Sequence, residues 1–125
     1  MTVHAHSPQL PGVGLAVAVT ERGTTTGIEL QGECDLAASA MLRDAIRDAF
    51  EREPEFLVLD LGGVSFIDSS GIHLVVELAE RSVARHVNLA IIPGPKPVHR
   101  VFELSQLADQ LPFVGLGRGC RGPSS

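Results

Sequence analysis

The sequence predicts an α/β domain: a mixed β-sheet of about five strands, opening with an N-terminal hairpin arm and continuing in parallel strands, covered by three to four α-helices. Three observations carry this. Two segments between residues 13 and 33 are apolar with a period of two and are separated by a turn. From residue 37 onward, segments of helical periodicity alternate with short apolar runs. The chain has 125 residues, 44% of them hydrophobic, which is enough for one domain with a real core.

Residues 1–11 are polar and broken by prolines, and read as a flexible lead-in; His4 and His6 there read as solvated. Val13, Leu15, Val17 and Val19 alternate along a first strand. Glu21 to Thr25 supplies a turn, and Thr26 to Glu33, with Ile28 and Leu30, is the second arm of a hairpin. Ala38, Met41, Leu42, Ala45, Ile46, Ala49 and Phe50 then form a helical stripe over residues 37–52, with Arg43, Asp44, Arg47, Asp48 and Glu51 opposite. Asp35 is placed to cap this helix or to lie just outside it, and Pro54 ends it.

Phe56 to Leu61 is a near-continuous apolar run, the pattern of a central strand buried on both faces, and Gly62-Gly63 should break it. A second helix is expected from about Ser69 or Ser70 to Arg85, with Leu74, Val75, Leu78, Ala79 and Val83 or Ser82 facing inward. Val87 to Ile92 is another short strand. Pro97 suits the first turn of a third helix running to about Leu107, with Val98, Val101, Phe102 and Ser105 on one face. Leu111 to Leu116 reads as a short terminal strand, and residues 117–125 as a disordered tail rich in Gly, Arg, Pro and Ser. The folded domain is thus expected over residues 12–116, with parallel strands joined by right-handed crossovers.

Composition excludes several classes of function. Five Phe, no Trp and no Tyr argue against base-stacking recognition of single-stranded nucleic acid, and a net charge of −5 disfavours a phosphate-backbone partner. The charge is uneven. Eight acids face three arginines between Glu33 and Asp60, whereas Arg81 to Arg100 holds four basic residues and no acid. Two cysteines, Cys34 and Cys120, the second in the tail, read as unpaired thiols of a reducing compartment. With neither a signal-peptide pattern nor an apolar run of membrane-spanning length, a cytoplasmic protein without membrane association is expected.

The most informative stretch is Asp60 to Leu74. A strand runs into a turn and then a helix start, which places the carboxylate of Asp68 and the hydroxyls of Ser69 and Ser70 at a helix N-terminus. Such an end carries orphan N–H groups and the positive pole of the macrodipole, so it accepts a side-chain cap or a phosphate. On local sequence alone a cap by Asp68 and Ser69 is the plainer reading, and it is compatible with a modification site. Asp35 stands equally as a plain cap or a partner contact. The charged face of the first helix reads as solvated. His73, His86 and His99 read as surface residues with no zinc spacing, so no metal and no cofactor are expected. Gly62-Gly63 is a turn rather than a phosphate cradle, because the Walker spacing and its lysine are absent. A serine hydrolase is disfavoured: G-x-S-x-G is missing around Ser69 and no motif positions a histidine as base, so the chain is read as a non-enzyme.

Leu30-Gln31-Gly32-Glu33-Cys34-Asp35, Leu59-Asp60-Leu61, Val64-Ser65-Phe66-Ile67-Asp68-Ser69-Ser70-Gly71 and the Phe-containing segment Pro95 to Leu107 together resemble the STAS domains of bacterial anti-sigma factor antagonists, over about residues 13–116. The Phe-Ile-Asp-Ser-Ser-Gly block is the specific part. The resemblance implies that Ser69 is phosphorylated by a partner, an anti-sigma factor with serine kinase activity. It implies that the unphosphorylated form binds that partner and frees a sigma factor, that the phosphorylated form lets go, and that a serine phosphatase resets the switch. Asp35, Asp68, Ser70, Gly71 and His73 would form the neighbourhood of the phosphosite and the partner contact, in a monomer or weak dimer acting in a stress response. Cys34 departs from the Leu or Val common between the Glu and the Asp, and His73 from a small residue. A non-switching STAS subunit of a stress-sensing scaffold or a lipid-transport complex is the competing reading.

A phosphate brings about −1.5 to −2 charges. Set about 4 Å from a partner carboxylate, it would cost on the order of 4 kcal/mol per charge pair at an effective dielectric near 20. That is roughly a thousandfold in affinity, so a local clash suffices without a change of fold.

Overall fold

The structure is a computed structural model that describes residues 2–5, as backbone, and 13–115. Its elements run in the order β1 (Thr2–Ala5), β2 (Leu15–Arg22), β3 (Thr25–Cys34), a 3-10 turn (Leu36–Ala38), α1 (Ser39–Glu51), β4 (Phe56–Ile67), α2 (Ser69–Ala84), β5 (Asn88–Ile92) and α3 (Lys96–Leu104). Spatial order equals chain order. β1, β2 and β3 pair antiparallel, and β3, β4 and β5 pair parallel. The mixed sheet, hairpin arm and helical crossovers match the expected class.

The register explains the core. Val19, Ile28, Leu59 and Ile91 form a continuous cross-strand row, and all are buried. The neighbouring row, Ala18, Glu29, Asp60 and Ile92, is half-buried or exposed. The sheet therefore has one packed face. α1 lies against β2 and β3, α2 against β4 and β5, and α3 against β4. α1 buries Leu42, Ala45, Ile46, Ala49 and Phe50, the expected stripe. α2 buries Gly71, Leu74, Val75, Leu78 and Ser82. Ser82 takes the inward position because its hydroxyl donates to Leu78 O at 2.9 Å, leaving no polar atom unpaired.

Four expectations are corrected. Phe56 to Leu61 is not a strand buried on both faces; it alternates, with Leu57, Leu59 and Leu61 inside. Nor does Gly62-Gly63 end it. β4 continues to Ile67, with register shifts against β3 at Glu29/Gln31 and Gly32/Glu33. Gly63 permits this close pairing, because a Cβ there would sit 2.9 Å from Leu30 O and 2.8 Å from Gln31 Cγ. The lead-in assigned to residues 1–11 includes a strand, since Thr2–Ala5 pairs with β2 from Thr2↔Glu21 to Ala5↔Ala18 and so covers an otherwise open strand edge. Of the terminal strand expected over 111–116, the described residues 111–115 show a single bridge, Ile91↔Phe113. Pro112 has no N–H to give, and Phe113 N–H turns back to Leu111 O at 2.8 Å. The tail assigned to 117–125 lies outside the described residues.

Helix ends are set by backbone geometry more than by composition. His86 and Gln106 adopt positive φ, 59° and 62°, after α2 and α3. Val87 N–H then reaches back to Ser82 O, and Leu107 N–H to Phe102 O, both at 2.9 Å, the six-to-one bonds that close a Schellman motif. This stops α3 at Leu104, short of the expected Leu107.

Candidate functional site

β3 and β4 run parallel and finish together at the registered pair Cys34↔Ile67. The next residue of each strand is an aspartate, so Asp35 and Asp68 emerge side by side at the C-terminal edge of the sheet. Both are N-caps. Asp35, with extended backbone, accepts the Ala38 N–H on Oδ1 at 3.2 Å and starts the 3-10 turn ahead of α1. Asp68, also extended, accepts Ser70 N–H at 2.9 Å and Gly71 N–H at 3.2 Å on the same Oδ1, starting α2. Asp68 N–H in turn donates to Cys34 O at 3.2 Å, which ties the second cap to the end of β3.

Ser69 is therefore the first residue of α2, and it is exposed. Its neighbour Ser70 is half-buried and Gly71 is buried. A Cβ at residue 71 would fall 2.6 Å from Cys34 O and 2.8 Å from both Cys34 Sγ and Ile67 Cγ1. A glycine is thus needed for α2 to start against the ends of both strands. Cys34 is buried, and burial, reinforced by the nearby carboxylates of Asp68 and Asp35, pushes its thiol up to about 12. It is a packing residue held in the protonated state.

Ser69, Ser70 and His73 of α2 face Leu36, Ser39 and Arg43 across an open cavity of about 460 Å³. His73 is exposed and its Nε2 lies 3.2 Å from Glu77 Oε2, while Arg43 Nη1 donates to Glu77 Oε1 at 2.9 Å. The structure thus gathers Ser69, Ser70 and His73 at one cavity, with Asp68 and Gly71 supporting them from α2's first turn and Asp35 at the head of the adjoining element. Sequence reasoning missed Leu36, Ser39 and Arg43. Two signals were available: Ser39 and Arg43 stand four apart on α1, and Leu36 is an apolar residue off the helix's buried stripe. His99, expected at the surface, is elsewhere and buried. It lies on α3, edge-on to the Phe113 ring with centroids 4.6 Å apart, because the 111–115 segment folds over that helix.

Among the described residues no helix is long and apolar enough to cross a membrane. The family profile described as STAS domain matches residues 16–115. The anti-sigma-F factor antagonist RsfB of Mycobacterium tuberculosis is 28% identical over 114 residues, covering 83% of this chain and 93% of its own. An anti-sigma F factor antagonist of Paenibacillus polymyxa is 30% identical over 87 residues, 69% of this chain and 74% of that one. In fold, the crystal structure of an anti-sigma factor antagonist from Mycobacterium paratuberculosis superposes with a TM-score of 0.73 at 19% identity, over 89% of this chain and 95% of that one. The profile spans both capped helix starts and the sheet that aligns them, and on that ground the chain belongs to the STAS-domain family.

Proposed function

We propose that this protein is an anti-sigma factor antagonist whose unphosphorylated form binds an anti-sigma factor with serine kinase activity and so releases a sigma factor, and that phosphorylation of Ser69 by that kinase abolishes binding. A serine phosphatase restores the binding form. Asp35, Asp68, Ser70, Gly71 and His73 frame the contact, in the cytoplasm of a bacterium. The observation that carries this reading is the exposed hydroxyl of Ser69 on the first residue of α2, one position after a cap that fixes the helix start. The names of the relatives support the choice of partner.

The chemistry follows from position. Ser69 lies at the sheet's C-terminal rim, where a kinase can reach it without opening the core. Its side chain makes no contribution to the cap, since Asp68 holds the Ser70 and Gly71 amides. Modification therefore adds charge to a docking surface while the fold stays intact. The experiment is a pull-down and calorimetry with the cognate anti-sigma factor and ATP, with mass spectrometry of residue 69. Ser69→Ala should remain bound in ATP, and Ser69→Asp should bind far more weakly. Equal affinities for the two variants, or a kinase-competent partner that leaves Ser69 unmodified, would overturn the proposal.

A further inference from the structure

Ser69, His73 and Glu77 stand at four-residue steps along α2, so they form one ridge on its surface. Glu77 is held from two directions, by Arg43 of α1 and by His73 one turn back. Those same two groups border the cavity onto which Ser69 opens. Arg43, His73 and Glu77 have side chains 51%, 67% and 38% exposed, so each can turn without disturbing the core. Meanwhile the Ser70 and Gly71 amides in α2's first turn are already taken by Asp68. With those two amides occupied, a phosphate on Ser69 has side-chain donors at the cavity to turn to.

We propose that Arg43 and His73 are the receptor for a phosphate on Ser69 and take it in exchange for Glu77. This rests on the reading of Ser69 as the modified residue. The kinase moves the γ-phosphoryl of ATP to Ser69 Oγ; the new Oγ–P bond replaces the bond to ADP, and the hydroxyl proton passes to the kinase's base. The product carries about −1.5 to −2 charges and three acceptor oxygens, against the single charge of Glu77. A guanidinium makes charge-assisted hydrogen bonds to phosphate as it does to carboxylate, so the larger charge of the phosphate decides the exchange. The exchange has a second consequence: Glu77, now uncovered, adds its own charge two turns further along α2, about 12 Å from Ser69. Negative charge then spreads over the α1–α2 face, beyond the one modified residue.

The test uses the full chain with phosphoserine placed at residue 69 by genetic encoding, so that no kinase is needed. The probe is the phosphorus resonance of that residue, titrated through its second ionisation. Arg43→Gln should raise the ionisation by about one unit relative to the otherwise unaltered phosphoprotein, and His73→Gln should raise it by less. Glu77→Gln should move it the other way, since Arg43 and His73 are then both released to the phosphate. Asp35 and Asp68 are present in every variant and cancel. Identical titrations in Arg43→Gln, Glu77→Gln and the parent would overturn the proposal, as would a rise in Glu77→Gln. Because the phosphate is installed without an enzyme, failure here leaves the kinase reading standing, and failure of the kinase to modify Ser69 leaves this result standing.

Discussion

Gly71, in the first turn of α2, has no room for a side chain between it and Cys34: a Cβ at residue 71 would lie 2.6 Å from the Cys34 carbonyl oxygen and 2.8 Å from its sulfur. Backbone of β3 and the first turn of α2 are in effect stacked on each other. That contact sets how far Ser69 stands above the sheet edge, which links a packing constraint to the exposure of the functional hydroxyl.

Gly71→Ala should therefore be destabilising even though alanine is the better helix former. The intrinsic gain, roughly 1 kcal/mol, is set against an overpacking cost of about 1–3 kcal/mol or more, because one of the clashing atoms is backbone and cannot swing away. Urea unfolding should show a lower midpoint at unchanged slope. A midpoint equal to or above the parent's would show that α2 can shift at no cost, and that Gly71 does not fix its start.

The Cys34 thiol makes the same contact visible through pH. An unfolded chain releases this proton near its ordinary value of 9.0, whereas the native fold holds it to about 12. The folded state thus favours the protonated form. Its contribution to stability is full below pH 9 and declines as pH rises from about 9 toward 12, by up to about 1.4 kcal/mol for each pH unit in that window. Urea midpoints from pH 8.5 to 10.5, in a Cys120→Ser background, should fall more steeply with Cys34 present than in Cys34→Ala. Parallel slopes would contradict the assignment.

Much of this was readable in the chain, and the residues show why. Ile28, Leu30, Leu42 and Ile46 declared their elements because one face of each is buried, and burial of one face imposes a period. Asp68 declared α2 because a carboxylate before a helical stripe has few other local uses. Where two chain segments meet, local pattern was silent. Gly62-Gly63 looks like a break, yet β3 approaches Gly63 so closely that a side chain there would meet the Leu30 carbonyl, and β4 passes through. Arg43 looks like one more solvated charge until the crossover brings α1 beside α2 and sets it against Glu77. His99 is buried by a segment twelve or more residues downstream, which no periodicity of α3 encodes.

Asp68 offers a way to separate the acceptor from the charge. Its role at the start of α2 needs an oxygen aimed at the Ser70 and Gly71 amides, which asparagine also provides. Asp68→Asn should change stability by only a few tenths of a kcal/mol, while Asp68→Ala should lose about 1 kcal/mol. Both are measured by urea unfolding at neutral pH. Equal losses in the two would assign the stabilisation to the carboxylate charge at the helix dipole instead of to the hydrogen bonds.

Leu36 tests the docking surface independently of Ser69. It stands 72% exposed in the 3-10 turn, beside the same cavity, and contributes nothing to the buried core. Under the proposed function an anti-sigma factor docked over Ser69 covers it, and full burial of a leucine is worth about 1.5–3 kcal/mol. Leu36→Ser should then weaken that complex by roughly 10- to 100-fold in calorimetry. Unfolding of the free protein should stay within about 0.5 kcal/mol of the parent, as for exposed positions generally. The loss should appear with unmodified Ser69 and in the absence of ATP, because it arises from apolar contact and not from charge. Unchanged affinity in Leu36→Ser would place the partner elsewhere on the domain, and the repulsion argued for Ser69 would then lose its target.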